Sequence, residues 1–366
     1  MKTFTSLTVA LLASAQAASA FQSWVGSNLY YAAGLDTDQQ DTLLCALSEA
    51  GVKVLRVWLD GEEANQKGTQ HVAYPSLEVD YIGDWDDTVL ERYDDFMVNA
   101  KDYGIKLQIS PHSWNALDAG DVYTEKFGRE GFYNSSEAAD MYKGRIAHVL
   151  QHVNKNTGKT WAESGDMIFG FETQNEAMNG LGADFLQQHS SWHCDIATAI
   201  KSGLPASTGE GSIPLVMTGG GCCDDTSVQD AYFDCEALDV IAIHTYGPSE
   251  FATDRLTPFV DKAIDAGKKL LFQEWGVCYF DTENNNCPEG TALSDEDRAA
   301  NLTKWAGEIG EAGIPWMYWQ IIPNDDPHYG YDFEIGTTEN IFESFKEVAL
   351  AAREYETPFD FSPWLL

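Results

Sequence analysis

Basic residues are scarce in this sequence of 366 residues: Lys and Arg total 22 against 58 Asp and Glu, a formal charge of −36. Such a surface repels phosphate backbones and anionic headgroups, which argues against nucleic-acid and membrane partners. An acidic polymer such as pectate makes a poor substrate for the same reason, whereas a neutral polymer does not. Beyond the first twenty residues no apolar run approaches membrane-spanning length. Linkers rich in Ser, Thr and Pro are missing too, so one domain is expected over residues 21–366. CxxC pairs and Cys/His clusters of zinc spacing are absent, as is a G-x-S-x-G elbow. His189-Ser-Ser-Trp-His193 has the spacing of a zinc-protease pair, but Ser190 stands where the general-base glutamate belongs. Gly219-Gly220-Gly221 lacks the spacing of a dinucleotide or phosphate loop. Neither a metal nor a cofactor is expected.

The first twenty residues have the pattern of a cleaved secretory leader: Lys2, then apolar Leu7 to Ala13, then Ala18-Ser19-Ala20. Export means oxidising conditions, so the seven cysteines predict disulfides with one thiol left over. Cys278 and Cys287 bracket a loop rich in Asn and Asp and make the first expected bridge. Cys194, Cys222, Cys223 and Cys235 supply one or two more, with the connectivity open. Cys45 falls on the apolar side of a predicted helix and is expected to be a buried free thiol. Asn134 and Asn301 open glycosylation sequons, consistent with export. An extracellular monomer is expected.

One unit recurs: an amphipathic helix, a glycine that stops it, and a short apolar strand. It appears as Asp38–Ala50, Gly51 and VKVLRVW, then as the stripe from Val89 to Ala100, Gly104 and IKLQISPH. It returns as Pro258–Ala266, Gly267 and KKLLFQEW, and as Ser294–Ala312, Gly313 and IPWMYWQII. WVGSNLYY, MIFGFETQN, PLVMTGGG and LDVIAIHTY raise the strand count to eight. Helices over 136–154, 184–201 and 340–355 fill the remaining crossovers. Near-continuous apolar runs suit strands buried on both faces. The pattern predicts a single α/β domain, a (β/α)₈ TIM barrel.

Barrel chemistry sits where the strands end. Arg56 and Trp58 close strand two, His112 strand three, Asn175 and Glu176 strand four. His244 and Tyr246 close strand six, Glu274 strand seven and Trp319 strand eight. Two carboxyl groups at neighbouring strand ends, one protonated and one ionised, are the minimum for cleaving a glycosidic bond. The ordered set Arg56, His112, Asn175-Glu176, His244-Thr-Tyr246, Glu274 and Trp319 resembles glycoside hydrolase family 5, over essentially the whole mature chain. That resemblance implies retaining chemistry, with Glu176 as acid/base and Glu274 as nucleophile. It implies a raised pKa for Glu176, an ionised Glu274 held by Arg56 and Tyr246, an Asn175 contact to the sugar 2-hydroxyl, and a pyranose stacked on Trp319. The expected substrate-binding set is Arg56, Trp58, His112, Asn175, His244, Tyr246 and Trp319.

GSNLYY, the Arg-x-Trp of strand two and ETQNE look most like fungal endo-β-1,4-mannanases. Ala177 and Trp275 depart from that pattern, which usually has Pro and Phe there. β-1,4-Glucanase and endo-β-1,6-galactanase therefore stay open, as does a barrel that only binds carbohydrate. The expected partner is a neutral polysaccharide. Blander readings exist for several residues: Glu176 and Glu274, each after a strand, could be helix N-terminal charges. Arg56 could simply neutralise Glu172, which shares a strand face with Glu176 by period two. His112 and His244 could be satisfied core histidines. Trp85 and Trp114 fall in predicted loops, as sugar platforms or as packing.

Overall fold

The computed structural model describes residues 20–206, 209–281, 285, 287 and 290–366. Nearly all of the leader predicted over residues 1–20 lies outside the described residues. The apolar runs form the eight strands of a closed parallel barrel. They are β1 Val25–Asn28, β2 Val54–Trp58, β3 Lys106–Ser110 and β4 Ile168–Glu172. The ring continues with β5 Leu215–Met217, β6 Val240–His244, β7 Lys269–Trp275 and β8 Trp316–Tyr318. Neighbours around the ring follow chain order, and β8 closes on β1 with Trp316 opposite Val25. Apart from Lys269 at the edge of β7, every barrel-strand residue is buried, which explains the absence of alternating polarity.

Helices pack outside the ring through the predicted stripes. Thr88–Asp102 buries Val89, Leu90, Tyr93, Phe96, Met97 and Ala100, each contributing about 1–3 kcal/mol of apolar burial according to size. The four predicted stop glycines, Gly51, Gly104, Gly267 and Gly313, have φ between 66° and 81°, the left-handed region that ends a helix without a Cβ clash.

Three local expectations are corrected. The helix predicted over 184–201 is divided at Ser190 into Ala183–His189 and Ser191–Gly203. Trp114, predicted in a loop, opens helix Trp114–Ala119, and a helix that was not predicted follows at Val122–Asn134. Their starts are set by side chains: Ser113 accepts from the Ala116 amide at 3.0 Å and Asp121 from the Thr124 amide at 2.9 Å. Trp114 therefore begins a helix and is buried, while Trp85 lies in a loop with its ring on His148, centroids 4.3 Å apart. Cys45 is free but exposed. Helix Thr37–Glu49 buries Leu43, Leu44 and Leu47, and Cys45 falls on the opposite side of that stripe.

Cys278 and Cys287 are bridged as expected, and Cys194 is bridged to Cys235. Asn134 is exposed at a helix end, and Asn301 is half-buried within helix Asp295–Glu311. Among the described residues no helix is long and apolar enough to cross a membrane.

Candidate active site

The site is built upward from a cation inside the barrel. Arg56, fully buried on β2, uses all five N–H donors. Nε and Nη2 form a fork on Glu172 at 2.9 and 2.8 Å, and Nη2 also reaches Asn175 Oδ1 at 2.7 Å. Nη1 reaches Asn28 Oδ1 at 3.1 Å and donates to Glu274 Oε1. Glu172 is further held by the amides of Gln108 and Gln273, each at 3.1 Å. The blander reading of Arg56 and the functional one are thus both realised, since one guanidinium serves both carboxylates. No donor remains for a sugar, so Arg56 positions Glu274 from below.

Glu274 is the penultimate residue of β7, and its Oε2 accepts from the Tyr246 hydroxyl at 3.1 Å. Burial pushes the Tyr246 phenol well up, so it stays a donor. Glu176 stands four residues beyond β4, not in it, so the strand-face relation to Glu172 does not apply. Its backbone has φ +47°, unusual outside glycine, and its amide donates to Gly219 O at 2.9 Å. A Cβ on Gly219 would lie 1.9 Å from Gln174 O, and one on Gly220 would lie 2.2 Å from the His244 ring. The triple glycine is therefore the backbone clearance that lets the β5 loop press against both Glu176 and His244. That is the meaning of a motif which sequence spacing alone dismissed.

His244 lies between the acids. Gln273 donates its amide to Glu172, leaving Gln273 Oε1 to accept, and His244 Nε2 approaches that oxygen at 2.6 Å. Nε2 therefore carries hydrogen. Nδ1 lies 3.3 Å from Glu176 Oε1 and 3.4 Å from Glu274 Oε1. The two facing carboxylates outweigh burial and raise the His244 pKa. For Glu176 burial is the largest influence and acts upward, but the His244 contact and an Asn179 amide at 2.9 Å bring the net direction down. Glu274 goes up, through burial first and the charge of Glu176, against His244 and Arg56. These directions reverse the sequence expectation: the Glu176 shift follows from a proton on His244 Nδ1, and the Glu274 shift from burial and the charge of Glu176. Moving that proton to Glu176 Oε1 leaves His244 neutral, with Nδ1 as acceptor and Nε2–H still on Gln273. The geometry accommodates either placement, so the His244–Glu176 pair holds one proton as a unit.

Above the acids is an open cleft of about 440 Å³, walled by residues including Trp58, Asn175, Tyr246 and Trp319. Trp319 follows β8 directly and lies parallel to Tyr30, 5.9 Å between centroids and 6° between planes. Trp58 tilts against it at 5.5 Å. Asn175 gives its oxygen to Arg56, so its Nδ2 is turned to the Asn115 side chain and the cleft. The Cys278–Cys287 bridge and Phe333 form a separate small apolar cluster against Tyr246 and Trp319. Asn285 ties that loop to Tyr246 O at 3.0 Å.

The sequence model of the cellulases, glycosyl hydrolase family 5, matches residues 15–325. The chain belongs to glycosyl hydrolase family 5. It is a glycoside hydrolase with a (β/α)₈ barrel. A probable mannan endo-1,4-beta-mannosidase A of Aspergillus oryzae is 26% identical, covering 86% of this chain and 81% of its own. Mannan endo-1,4-beta-mannosidase F of Aspergillus fumigatus is 23% identical, covering 87% and 74%. Among solved structures, an endo-1,4-beta-mannanase from Rhizomucor miehei superposes with TM-score 0.67 at 20% identity, over 91% of this chain and 95% of that one. An endoglucanase from Pseudomonas stutzeri gives 0.56 at 13%, over 88% and 93%. At these identities the superpositions speak for the fold.

Within this family 5 barrel, Glu176, Glu274, Asn175, Tyr246, Trp58 and Trp319 meet at the cleft. His244 is buried beneath both acids. His112 does not reach the cleft: its Nε2 contacts Asp121 at 2.7 Å and its Nδ1 the Gln174 amide at 2.8 Å, among Tyr123, Phe132 and Tyr142. Of the predicted set it is the satisfied core histidine. Sequence reasoning missed Asn115, on helix Trp114–Ala119, and Glu250, Asn285, Tyr331 and Phe333, which line the cleft from the segments connecting strands and helices, and Gln273, which orients His244. Among the described residues two groupings bring potential metal-ligand atoms within 4.8 Å of one another: Glu176, His244 and Glu274, and Asp326, His328 and Asp332. In each the imidazole Nδ1 faces the carboxylates at 3.2–3.4 Å.

Proposed function

We propose that this family 5 hydrolase is an exported endo-β-1,4-mannanase acting with retention, Glu274 as nucleophile and Glu176 as acid/base. The observation that carries it is the approach of the two acids: carboxylate oxygens of Glu176 and Glu274 come within 4.8 Å of each other at the cleft floor. Retaining pairs stand about 5–5.5 Å apart, whereas inverting pairs need about 6.5–9.5 Å to admit a water between them.

The reactive form carries the shared proton on Glu176. Glu274, fixed by Arg56 and Tyr246, attacks the anomeric carbon as the glycosidic bond breaks, and Glu176 delivers its proton to the leaving oxygen. Glu176, now a carboxylate, takes a proton from water, whose oxygen displaces Glu274 from the same carbon. Asn175 Nδ2 is turned to bond the 2-hydroxyl, and Trp58 and Trp319 offer flat apolar faces to sugar rings. Support for mannan comes from the curated relatives, which are named mannan endo-1,4-beta-mannosidases. The leader pattern, two disulfides and the acidic surface support export and a neutral glycan.

Two measurements test the reading. Glu274→Ala lowers kcat on the order of 10⁴-fold or more, and azide restores turnover with a product of inverted anomeric configuration. Absence of that rescue removes Glu274 as nucleophile. A panel of neutral β-glycans with product sizing should show internal cleavage of mannan. Preference for β-1,4-glucan or β-1,6-galactan would reassign the substrate, and binding without cleavage would make the barrel a carbohydrate-binding protein.

A further inference from the structure

Three cysteines remain outside the two bridges, and two of them are adjacent in the wall of the cleft. Cys222 is exposed and Cys223 half-buried, and both border the space that holds Glu176 and Tyr246. Their sulfurs are 2.8 Å apart, inside van der Waals contact but longer than the bonded distance of about 2.05 Å. The backbone around them is pinned on both sides. Gly221 donates its amide to Ser227 Oγ at 2.9 Å, Cys223 donates its amide to Thr226 Oγ1 at 3.1 Å, and Asp224 is forked by Arg255 at 2.6 and 2.9 Å. Cys45, the third free cysteine, lies on an outer helix beside Glu49. Neither sulfur of the pair therefore has another thiol in this chain to meet. The chain already contains two closed bridges, so it matures where thiols are oxidised.

We propose that Cys222 and Cys223 are joined in the mature protein as a vicinal disulfide, and that this bridge forms a rigid, apolar sulfur edge of the glycan-binding cleft. A small-molecule disulfide of the glutathione type is the oxidant. The exposed Cys222, as thiolate, attacks one of its sulfurs and expels one thiolate. Cys223 then loses its proton and attacks Cys222 Sγ in the mixed disulfide, expelling the second. Two electrons pass from the pair to the small disulfide, which leaves as two thiols. Burial first, then the contact with Cys222 and the charges of Glu250 and Asp224, push the Cys223 thiol up to about 12, which makes it the slower, resolving partner. Closure removes two S–H groups from the wall and fixes residues 222–223 on the β5 loop. In the strand order β5 is diametrically opposite β1, whose neighbours β8 and β2 bring Trp319 and Trp58. A glycan in the cleft then has tryptophan on one side and polarisable sulfur on the other. The binding half rests on the glycosidase reading, whereas the covalent half does not.

The test begins with unreduced secreted protein, denatured, alkylated and mapped by mass spectrometry. Alkylation at Cys45 alone, with the Cys222–Cys223 peptide two hydrogens light, supports the bridge. Alkylation at all three positions, or Cys222 linked elsewhere, overturns it. Kinetics on soluble manno-oligosaccharides are then compared before and after mild phosphine reduction, alongside a Cys222→Ser/Cys223→Ser protein treated identically. A KM rise of roughly tenfold on reduction, with kcat little changed and no response in the double variant, supports the sulfur edge. An unchanged KM with the bridge demonstrably opened overturns the contact. A bridged protein that cleaves no glycan would sink the glycosidase reading and leave the covalent assignment standing.

Discussion

At the scale of single residues, the chemistry depends on where one proton resides. His244 Nε2–H is committed to Gln273, so Nδ1 alone exchanges with Glu176. The folded His244 pKa is raised above its ordinary 6.5, so the pair keeps its proton until pH climbs past that value. Glu274 is raised above 4.5, so it loses its charge, and activity falls, as pH drops towards that range. The expected kcat/KM profile is a bell between these limits. His244→Asn leaves Glu176 to hold the proton alone, which moves the alkaline limb to lower pH and lowers kcat on the order of 10–100-fold. An alkaline limb that stays in place would exclude His244 as the proton's reserve. Much of this constellation was legible because polar residues ending apolar strands stand out. Arg56, Tyr246, Asn175 and both acids were found that way. The direction of the Glu176 shift was not, because it depends on a 3.3 Å contact between residues 68 positions apart.

At the scale of elements, the segment from Ile322 to Ile335 straps Tyr331 and Phe333 onto the cleft. Its clamp is His328, stacked face to face on Tyr279 at 3.4 Å and set among Asp326, Asp332 and Glu339 at 3.2–3.5 Å. Although partial burial opposes it, hydrogen bonds to Asp326 and Asp332 raise His328 to about 9, against an ordinary 6.5. A raised folded pKa stabilises below 6.5, and that contribution is lost as pH rises through about 9. Burial first, then the charges of Asp326 and Glu334, push Asp332 up to about 6, while Asp326 is lowered. Those two oppose each other on the acid side, so the alkaline window belongs to His328. The melting temperature should fall between pH 6.5 and 9.5, and His328→Gln should flatten that fall. A wild-type decline retained in full by the variant would place the titration elsewhere. The strands, the stop glycines and the Cys278–Cys287 bridge were readable because each is a local signal. The helices at 114–119 and 122–134 were not: their caps are side-chain contacts, and Gly128 at φ +71° interrupts the periodicity.

At the scale of the whole molecule, the excess of acid over base acts as a diffuse load on the folded state. Salt screens exposed charges beyond a Debye length of about 10 Å at 0.1 M. Raising sodium chloride from 10 to 300 mM at pH 7, both concentrations chosen for a test of that screening, should therefore raise the melting temperature. A flat or falling response would mean that attractive ion pairs outweigh the repulsion. The fold itself was legible at this scale because eight apolar runs interleaved with amphipathic helices leave few ways to be buried.

The five-way engagement of Arg56 joins β1, β2, β4 and β7 through a single buried group. Before the staves meet, that cation has no cradle and Glu274 has no counter-charge. A chain whose ring is still open is for this reason not a slow enzyme but an inert one. During unfolding, lost turnover should keep time with the parting of the strands, even where the outer helices persist.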